Sequence, residues 1–430
     1  MEVLQDTYKD TKIGRIPKDW DCKPMNDFVI NFRGGASFKP SEFSNEGVKV
    51  LSKIGVRSSG VMTIPYSKQQ FCEEVCLKKY AKSIATQSEL VTVLRDLVPS
   101  GPSIGYIVKI PDNSVYIMAQ GVYCFSVDEN KINQNFLIQL SNTNWYRKYM
   151  QKILVGSTQV HIRGPVFLKT PLPIPPLPEQ QKIAAILSTV DEQISTTDKI
   201  IEKSKELKKG LMQKLFSEGI GHTEFKDTKI GRIPKEWNTL KINQVADCYG
   251  GTTPSTVVEE YWNGDILWAT PSDITKNKSE YLLNTSRKIT EQGRASKNLR
   301  FVKKNGLLMT SRASIGFLNI SNGDVVTNQG FINIECKDNF HYKFFYYWVL
   351  DNRKKLLSLS QGSTFLELYR KTFAKINIPT PPLAEQQKIA AILSEADAKI
   401  EMEQTQKTQL EQLKKGLMQQ LLTGKKRVKV

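Results

Sequence analysis

Histidine, cysteine and long apolar runs are all scarce in this sequence. Its 430 residues include 3 histidines and 6 cysteines, and only Cys72 and Cys76 lie close together. A structural zinc site needs four such ligands at short spacings, and a disulfide-stabilised domain needs more cysteines than these. We therefore expect no metal site and no disulfide framework, but free thiols in a reducing cytoplasm.

Acidic residues are also few relative to basic ones. The chain has 61 lysines and arginines against 43 aspartates and glutamates, which gives a net charge of +18. An excess of this size is typical of proteins that bind a polyanion, and nucleic acid is the first candidate. No apolar run approaches the roughly 18–20 residues that span a bilayer. Because residues 1–20 are polar and charged, we also expect no secretory signal.

The chain is a tandem duplication. Its repeated motifs, given below, are too long and too alike to arise by chance, and internal repeats determine the architecture of a chain. Between the repeats lie two dissimilar stretches, so two near-identical frames surround two different inserts. Three motifs occur twice, namely YKDTKIGRIPKDW at 8–20 and FKDTKIGRIPKEW at 225–237, EQQKIAAILS at 179–188 and 385–394, and KKGLMQ at 208–213 and 414–419.

The length of the chain predicts two or three domains. The repeats divide these domains further, into six segments. Two segments carry the short motif, two carry a long helix, and two are the inserts. In chain order we predict an N-terminal motif (1–20), a first insert (21–170), a central frame with a long helix (171–220), a second motif (221–237), a second insert (238–375) and a C-terminal frame with a long helix (376–430).

A proline-rich stretch before each EQQ motif predicts the start of a long helix. Proline suits the first helical turn, so the chain should enter a helix near Pro178 or Glu179. Apolar residues then recur at helical spacing over about 35 residues, and a lone amphipathic helix of this length needs a partner. We expect the other copy to be that partner. The predicted interface of the pair comprises Ile183, Leu187, Val190, Ile194, Ile201, Leu211, Leu215, Ile389, Leu393, Ile400, Leu410, Leu417 and Leu421.

We expect the two helices to pair antiparallel, as a coiled coil with pseudo-twofold symmetry, because duplicated chains commonly close in this way. A parallel pair is the alternative. The order of the motifs places the end of the second helix near the first motif, so the termini should be close and the arrangement nearly circular. The predicted fold class is α+β, with two globular mixed α/β domains separated by two long antiparallel helices.

The inserts have mixed α/β patterns. Runs such as Val50–Val56 and Phe331–Cys336 are strand-like, whereas Asn135–Leu154 and His341–Leu359 are helix-like. Basic and amide side chains lie around loops; arginine and lysine suit guanine edges and phosphates, and amides suit adenine. The candidate DNA-binding residues are Arg95, Lys276, Lys278, Arg287, Arg294, Lys297, Arg312, Ser314, Asn328 and Gln329.

As a set, these motifs resemble the specificity (S) subunit of type I restriction–modification systems. The second insert adds GGTTPST at 250–256, YWNGDILWATPSDI at 261–274, SRASIG at 311–316 and TNQGF at 327–331, whereas the first insert keeps only fragments such as FRGGASF at 32–38. The resemblance implies that the inserts are two target recognition domains. Each would read one half of a split, asymmetric site in double-stranded DNA, and the long helices would fix the gap.

The resemblance also implies partners. The helices would dock two methyltransferase (M) subunits that bind S-adenosylmethionine, and restriction (R) subunits would add ATP-driven translocation and cleavage. Cofactors, including Mg²⁺, would therefore act on partner subunits, and this chain would be a non-catalytic subunit with no cofactor and no membrane contact in a prokaryotic cytoplasm.

The sequence offers little chemistry of its own. It has neither an [N/D]PP[Y/F] methyltransferase motif nor a phosphate-binding loop. Asp112, Glu129 and Lys131 have the form of a PD…ExK nuclease site, which could hold Mg²⁺, but this short pattern is frequent by chance. Two alternatives stay open: an enzyme that cuts or methylates DNA by itself, and a coiled-coil scaffold that binds only proteins.

Overall fold

The computed structural model describes residues 7–362 and 366–429. Residues 1–6 of the N-terminal motif, 363–365 of the second insert and 430 of the C-terminal frame lie outside the described residues. The chain forms two compact units. The first consists of Met1–Asp198 and Gln406–Val430, and the second of Lys199–Thr405. In the described part of the chain, no helix is long and apolar enough to cross a membrane.

The first unit contains the N-terminal motif and the first insert. Its strands are β1 (Tyr8–Thr11), β2 (Gly14–Pro17), β3 (Asp21–Pro24), β4 (Val29–Gly34), β5 (Phe43–Ser44), β6 (Val48–Leu51), β7 (Gln70–Cys72), β8 (Ile84–Ala85), β9 (Leu90–Val93), β10 (Arg95–Asp96), β11 (Ile107–Lys109), β12 (Tyr116–Met118), β13 (Val122–Val127), β14 (Val160–His161) and β15 (Pro171–Ile174). Its short helices are α1 (Val75–Lys79), α2 (Gln134–Ser141), α3 (Asn144–Lys152) and α4 (Gly164–Leu168).

Two sheets form the body of the first insert. Their strand orders are β11-β9-β13-β4 and β5-β7-β6-β12-β8. The duplicated motif is the β1–β2 hairpin, which turns at Gly14 in a left-handed conformation (φ 101°) that glycine tolerates best. β15 pairs antiparallel with β3, so the end of the insert lies beside its beginning. Trp20, fully buried, anchors the core of this unit.

The first long helix is α5 (Leu177–Glu218), and the second unit follows the same plan as the first. Its strands are β16 (Phe225–Thr228), β17 (Gly231–Pro234), β18 (Asn238–Lys241), β19 (Ala246–Tyr249), β20 (Trp262–Ala269), β21 (Tyr281–Leu282), β22 (Arg287–Ile289), β23 (Leu307–Thr310), β24 (Leu318–Ser321), β25 (Val325–Thr327), β26 (Phe331–Cys336) and β27 (Asn377–Thr380). Its helices are α6 (Ile242–Val245), α7 (Pro271–Lys276), α8 (Glu291–Ser296), α9 (Tyr342–Asp351), α10 (Arg353–Ser358), α11 (Arg370–Ala374) and the start of α12 (Leu383–Leu421).

The sheets of the second insert have the orders β19-β26-β23-β24-β21 and β22-β20-β25. The β16–β17 hairpin and the β18–β27 pair repeat the β1–β2 and β3–β15 pairs of the first unit. Trp237 is fully buried here, as Trp20 is in the first unit.

Within each unit, the parts of α5 and α12 run antiparallel. In the first unit, Asp198 pairs with Lys407 at 2.7 Å. Asp191, which lies seven residues before Asp198, pairs at 2.6 Å with Lys414, which lies seven residues after Lys407. The N-terminal hairpin lies beside the end of α12, because the Tyr8 hydroxyl donates to the Gly424 carbonyl at 3.0 Å. The expected proximity of the chain ends is therefore confirmed within this unit.

In the second unit, Lys208 of α5 donates to Asp397 of α12 at 2.5 Å. Glu385, which precedes Asp397 by twelve residues, accepts at 2.9 Å from the amide of Ile220, which follows Lys208 by twelve residues. The antiparallel direction is thus confirmed here as well. The helices have 42 and 39 residues, somewhat more than the sequence predicted.

Three local predictions were confirmed only in part. Asn135–Leu154 is two helices, α2 and α3, because Thr143 caps the second by accepting from the Tyr146 amide at 3.2 Å. His341–Leu359 is likewise divided, into α9 and α10. Val50–Val56 is a strand only to Leu51 and then turns through a 3-10 helix.

Candidate nucleic-acid interface

A polar groove forms in the first insert where three chain segments far apart in sequence meet. The Leu94 amide donates to the Gly121 carbonyl at 2.9 Å, and the Ile162 amide donates to the Leu94 carbonyl at 2.9 Å. These bonds place Arg95 opposite His161 in the β10–β14 ladder. The cavity, which we call the first groove, measures about 610 Å³, and its polar lining includes Arg95, Gln120, Gln159, His161 and Arg163.

The second insert has a groove with the same backbone frame. The Ser311 amide donates to the Gly330 carbonyl at 2.8 Å, and the Leu368 amide donates to the Ser311 carbonyl at 2.8 Å. Arg312 is therefore opposite Glu367, as Arg95 is opposite His161. The second groove is smaller, about 350 Å³, and its lining includes Ser311, Gln329, Glu367, Tyr369, Arg370 and Lys371.

Asp96 fixes the position of Arg95 from behind. It is buried, and it accepts hydrogen bonds from the Ser103 hydroxyl at 2.6 Å and from Lys53 at 2.9 Å. Burial opposes ionisation of Asp96, but these bonds outweigh it and lower the pKa of the carboxyl to about 2. The two-residue strand β10 is therefore held firmly, with Asp96 inward and Arg95 exposed.

Four of the predicted DNA-binding residues of the second insert lie in or next to the second groove. Gln329 lines it and accepts from the Thr253 hydroxyl at 2.7 Å. Arg312 forms an ion pair with Glu367, and its carbonyl accepts from the Ser314 amide at 2.6 Å. Asn328 precedes Gln329 and accepts from the Gly330 amide at 2.9 Å, so its side chain shapes the loop.

The other five predicted residues of the second insert are exposed or half-buried but not part of the described lining of either groove. Arg287 lies over the Trp262 ring, 3.5 Å from its centroid, and this stacking holds the guanidinium in place. Arg294 is engaged by Glu291, so its role is at least partly structural. The exposed lysines are Lys276, Lys278 and Lys297.

Several groove residues were missed by sequence reasoning, among them His161, Arg163, Glu367, Arg370 and Lys371. The repeat contains a signal for them. When the two copies are aligned through GST, GSTQVHIRG at 156–164 falls on GSTFLELYR at 362–370. This alignment places the variable positions of the two copies at the two grooves.

The duplicated EQQ motif connects each insert to its long helix. Glu179, only 2% exposed, accepts from the Trp20 indole at 3.1 Å and from Arg427 at 2.7 Å. Gln180 accepts from the Asn133 amide, just before α2, at 2.9 Å and donates to the Pro175 carbonyl at 2.9 Å.

The second copy makes equivalent contacts. Glu385 accepts from the Trp237 indole at 3.0 Å and lies 3.0 Å from Nε2 of His222, which stands in the place of the arginine. Gln386 accepts from the His341 amide at 2.8 Å. The repeated residues therefore attach two different inserts to the helices by the same bonds.

The predicted helix-interface residues differ in burial, and some of them pack against the inserts as well as between the helices. Ile183, Leu187 and Leu421 belong to one core with Phe136 of the first insert. Phe216, which the prediction missed, packs against the second insert. Buried are Ile183, Leu187, Val190, Ile201, Leu215, Ile389, Leu393, Ile400 and Leu421, and half-buried are Ile194, Leu211, Leu410 and Leu417.

Asp112 and Lys131 of the nuclease-like pattern take part in local hydrogen bonds and ion pairs. Asp112 accepts from the Ser114 amide at 3.0 Å and lies 3.6 Å from Lys49. Lys131 pairs with Asp128 at 3.0 Å. Among the described residues, no group of three or more histidine, cysteine or acidic side chains could hold a metal ion.

Comparisons with known proteins agree with this architecture. The model of the type I restriction modification DNA specificity domain matches residues 17–206 and 234–412. The MjaIX specificity subunit of Methanocaldococcus jannaschii is 43% identical over 186 residues, and the alignment spans only 43% of this chain and 43% of that protein. The MjaVIII specificity subunit of the same organism is 25% identical over 446 residues, covering 99% and 97% of the two chains.

Two solved structures share the fold. The S subunit from M. genitalium superposes with a TM-score of 0.56 at 15% identity, covering 94% of this chain and 96% of that one. A chain from a structure concerned with assembly and conformational transition of the type I R-M system gives 0.58 at 15% identity, with 95% and 99% covered. Because the domain model matches both copies of the repeat and well over half of the chain, the protein belongs to the type I restriction–modification DNA specificity family.

Proposed function

We propose that this chain is the DNA sequence-specificity subunit of a type I restriction–modification complex. The two inserts act as target recognition domains for the halves of a split, asymmetric DNA site, and the long helices set the gap between the halves. The observation that carries the proposal is the pair of grooves, which share one backbone frame but differ in their side chains. Equivalent backbone frames favour docking on DNA in the same way, and different side chains in the two grooves favour recognition of different DNA sequences.

The repeated helices are suited to two copies of one partner. Asp191 and Asp397 occupy equivalent repeat positions, and each pairs with a lysine of the KKGLMQ motif, Lys414 and Lys208 respectively. Equivalent surfaces on the two copies favour two identical methyltransferase subunits. We propose that restriction subunits join through the same complex.

We propose that the chain itself is not catalytic and carries no cofactor, so that S-adenosylmethionine, ATP and Mg²⁺ act on partner subunits in a prokaryotic cytoplasm. Incubating the purified chain with DNA, S-adenosylmethionine and Mg²⁺ tests this. We expect neither methylation nor cutting, and either reaction would support the enzyme alternative. Salt-dependent binding to duplex DNA would argue against a scaffold that binds only proteins.

Exchange of the second insert tests the assignment of two readers. Residues 238–375 are replaced by the corresponding insert of a relative, and methylated sites are mapped in cells that also produce the methyltransferase partner. One half of the target should change while the other half and the gap persist. Changes in both halves would contradict the assignment.

A further inference from the structure

Arg95 and Arg312 occupy equivalent positions, but their partners differ in charge. Arg312 forms an ion pair with Glu367, with 2.9 Å between Nε and Oε1. Arg95 faces His161 in the ladder, and its guanidinium donates to the neutral side-chain amide oxygen (Oε1) of Gln159 at 2.8 Å. Among the described residues, the arginine therefore contacts a carboxylate in the second insert and a neutral amide in the first.

Arg95 is also held in place from below. A Cβ atom built on Gly121 would lie 2.8 Å from the Cβ of Arg95, so this glycine, at φ 87°, lets the arginine side chain lie close to the loop. Asp96 fixes the neighbouring residue through Ser103 and Lys53. An arginine fixed at its base and exposed at its tip loses little freedom on binding, which favours directional contacts.

The chemistry of the tip identifies the ligand atoms. With one of its donors on Gln159, the guanidinium keeps others for two parallel hydrogen bonds, and the O6 and N7 atoms of guanine form the acceptor pair that arginine commonly contacts. Arg312 has its Nε engaged by Glu367, and an arginine paired with a carboxylate has less charge to offer those acceptors. The first groove is also the larger of the two, so it has more room for a base edge.

We propose that Arg95 reads a guanine in the half-site of the first insert, and that the residue opposite the arginine, His161 or Glu367, determines whether each groove reads guanine. This inference rests on the proposed DNA-specificity function and adds to it the base and the residues that select it. Glu367 suppresses guanine reading by Arg312 in the second groove, whereas His161 leaves Arg95 available.

The test uses the full chain with its methyltransferase partner. Methylated sites are mapped for each variant, and methylation rates are measured on duplexes that differ from the wild-type target at one base pair. The insert exchange described above identifies the half read by the first insert. In that half, Arg95→Ala and His161→Glu should each reduce discrimination at the same guanine about 10- to 100-fold. His161→Gln, the uncharged control, should retain it.

The second groove provides the converse test. Glu367→Gln should release Arg312 and create a preference for guanine at one position of the other half-site. Arg95 and His161 are exposed, so their variants should keep the wild-type melting temperature. If Arg95→Ala slows methylation of all duplexes equally, Arg95 contacts phosphate and the inference is wrong. An unchanged target for His161→Glu would also overturn it. In both cases a split wild-type target would leave the proposed function intact, whereas a continuous wild-type target would refute that function itself.

Discussion

Asp191 of α5 pairs with Lys414 of α12 at 2.6 Å, and the same carboxylate accepts from the Gln139 side chain of the first insert at 2.6 Å. In the second unit, Asp397 pairs with Lys208 and accepts from the Tyr347 hydroxyl at 2.9 Å. One repeated aspartate thus joins three elements in each unit. The repeat conserves this junction although the insert residue that completes it differs.

Asp191→Asn should destabilise the first unit. The variant leaves Lys414, whose side chain is only 15% exposed, without its counter-ion and weakens the bond to Gln139. We expect a loss of about 1–3 kcal/mol in the free energy of unfolding. Urea denaturation of the purified chain measures it.

The matched control for this variant is Asp198→Asn. Asp198 also pairs across the helices, with Lys407, but its side chain is 48% exposed. Exposed pairs contribute little, so we expect a change below about 1 kcal/mol. Equal losses of unfolding free energy in the two variants would show that this junction contributes no more to stability than an exposed ion pair does.

Arg427→Gln should weaken the attachment between the chain end and the N-terminal motif. Arg427 pairs with Asp19 at 2.6 Å and with the buried Glu179 at 2.7 Å. Loss of the cation leaves Glu179 with the Trp20 indole, and we expect about 1–2 kcal/mol of destabilisation. The melting temperature should fall for this variant and stay unchanged for Lys426→Gln at the neighbouring exposed position.

Asp96 should contribute a pH-dependent part of the stability. Its pKa is about 2 in the folded chain, below the ordinary value of 3.8. A lowered carboxyl pKa stabilises the fold above pH 4, and this contribution is lost as the pH falls from about 4 to about 2. The difference in melting temperature between the wild type and Asp96→Asn should therefore be large at pH 7 and shrink over this range. A constant difference would contradict the assignment.

Paired insertions in the helices should change the gap without changing the half-sites. Because α5 and α12 are in register within each unit, we expect that four residues must be added to both, after Ser195 and, on the facing helix, after Gln409. At 1.5 Å per residue the helices lengthen by about 6 Å, which corresponds to about one or two base pairs. Mapping of methylated sites measures the gap. A single insertion after Ser195 serves as the control and should impair folding or activity.

The helical frame could be predicted from the sequence because its signals are local. Prolines place the start of α5 within two residues of Leu177, and Gly219 ends it in the left-handed conformation, at φ 65°. The strand predicted at Phe331–Cys336 is found with the same bounds.

The grooves could not be predicted in the same way. Arg95, Gly121 and Ile162 meet only through tertiary hydrogen bonds, so no spacing rule brings them together. The sequence predicted a helix start near Glu179, but the main contacts of this residue, to Trp20 and Arg427, join residues far apart in the chain. Only the alignment of the two copies could have pointed to His161 and Glu367 as equivalent variable positions.

We propose that the two unlike inserts read two separate DNA sequences. Genome-wide mapping of methylated bases, in cells that carry this chain and its methyltransferase partner, reads out the target sequence itself. We predict one motif made of two different specific halves separated by a fixed run of unspecified bases. A continuous motif, or two identical halves arranged as a palindrome, would contradict it.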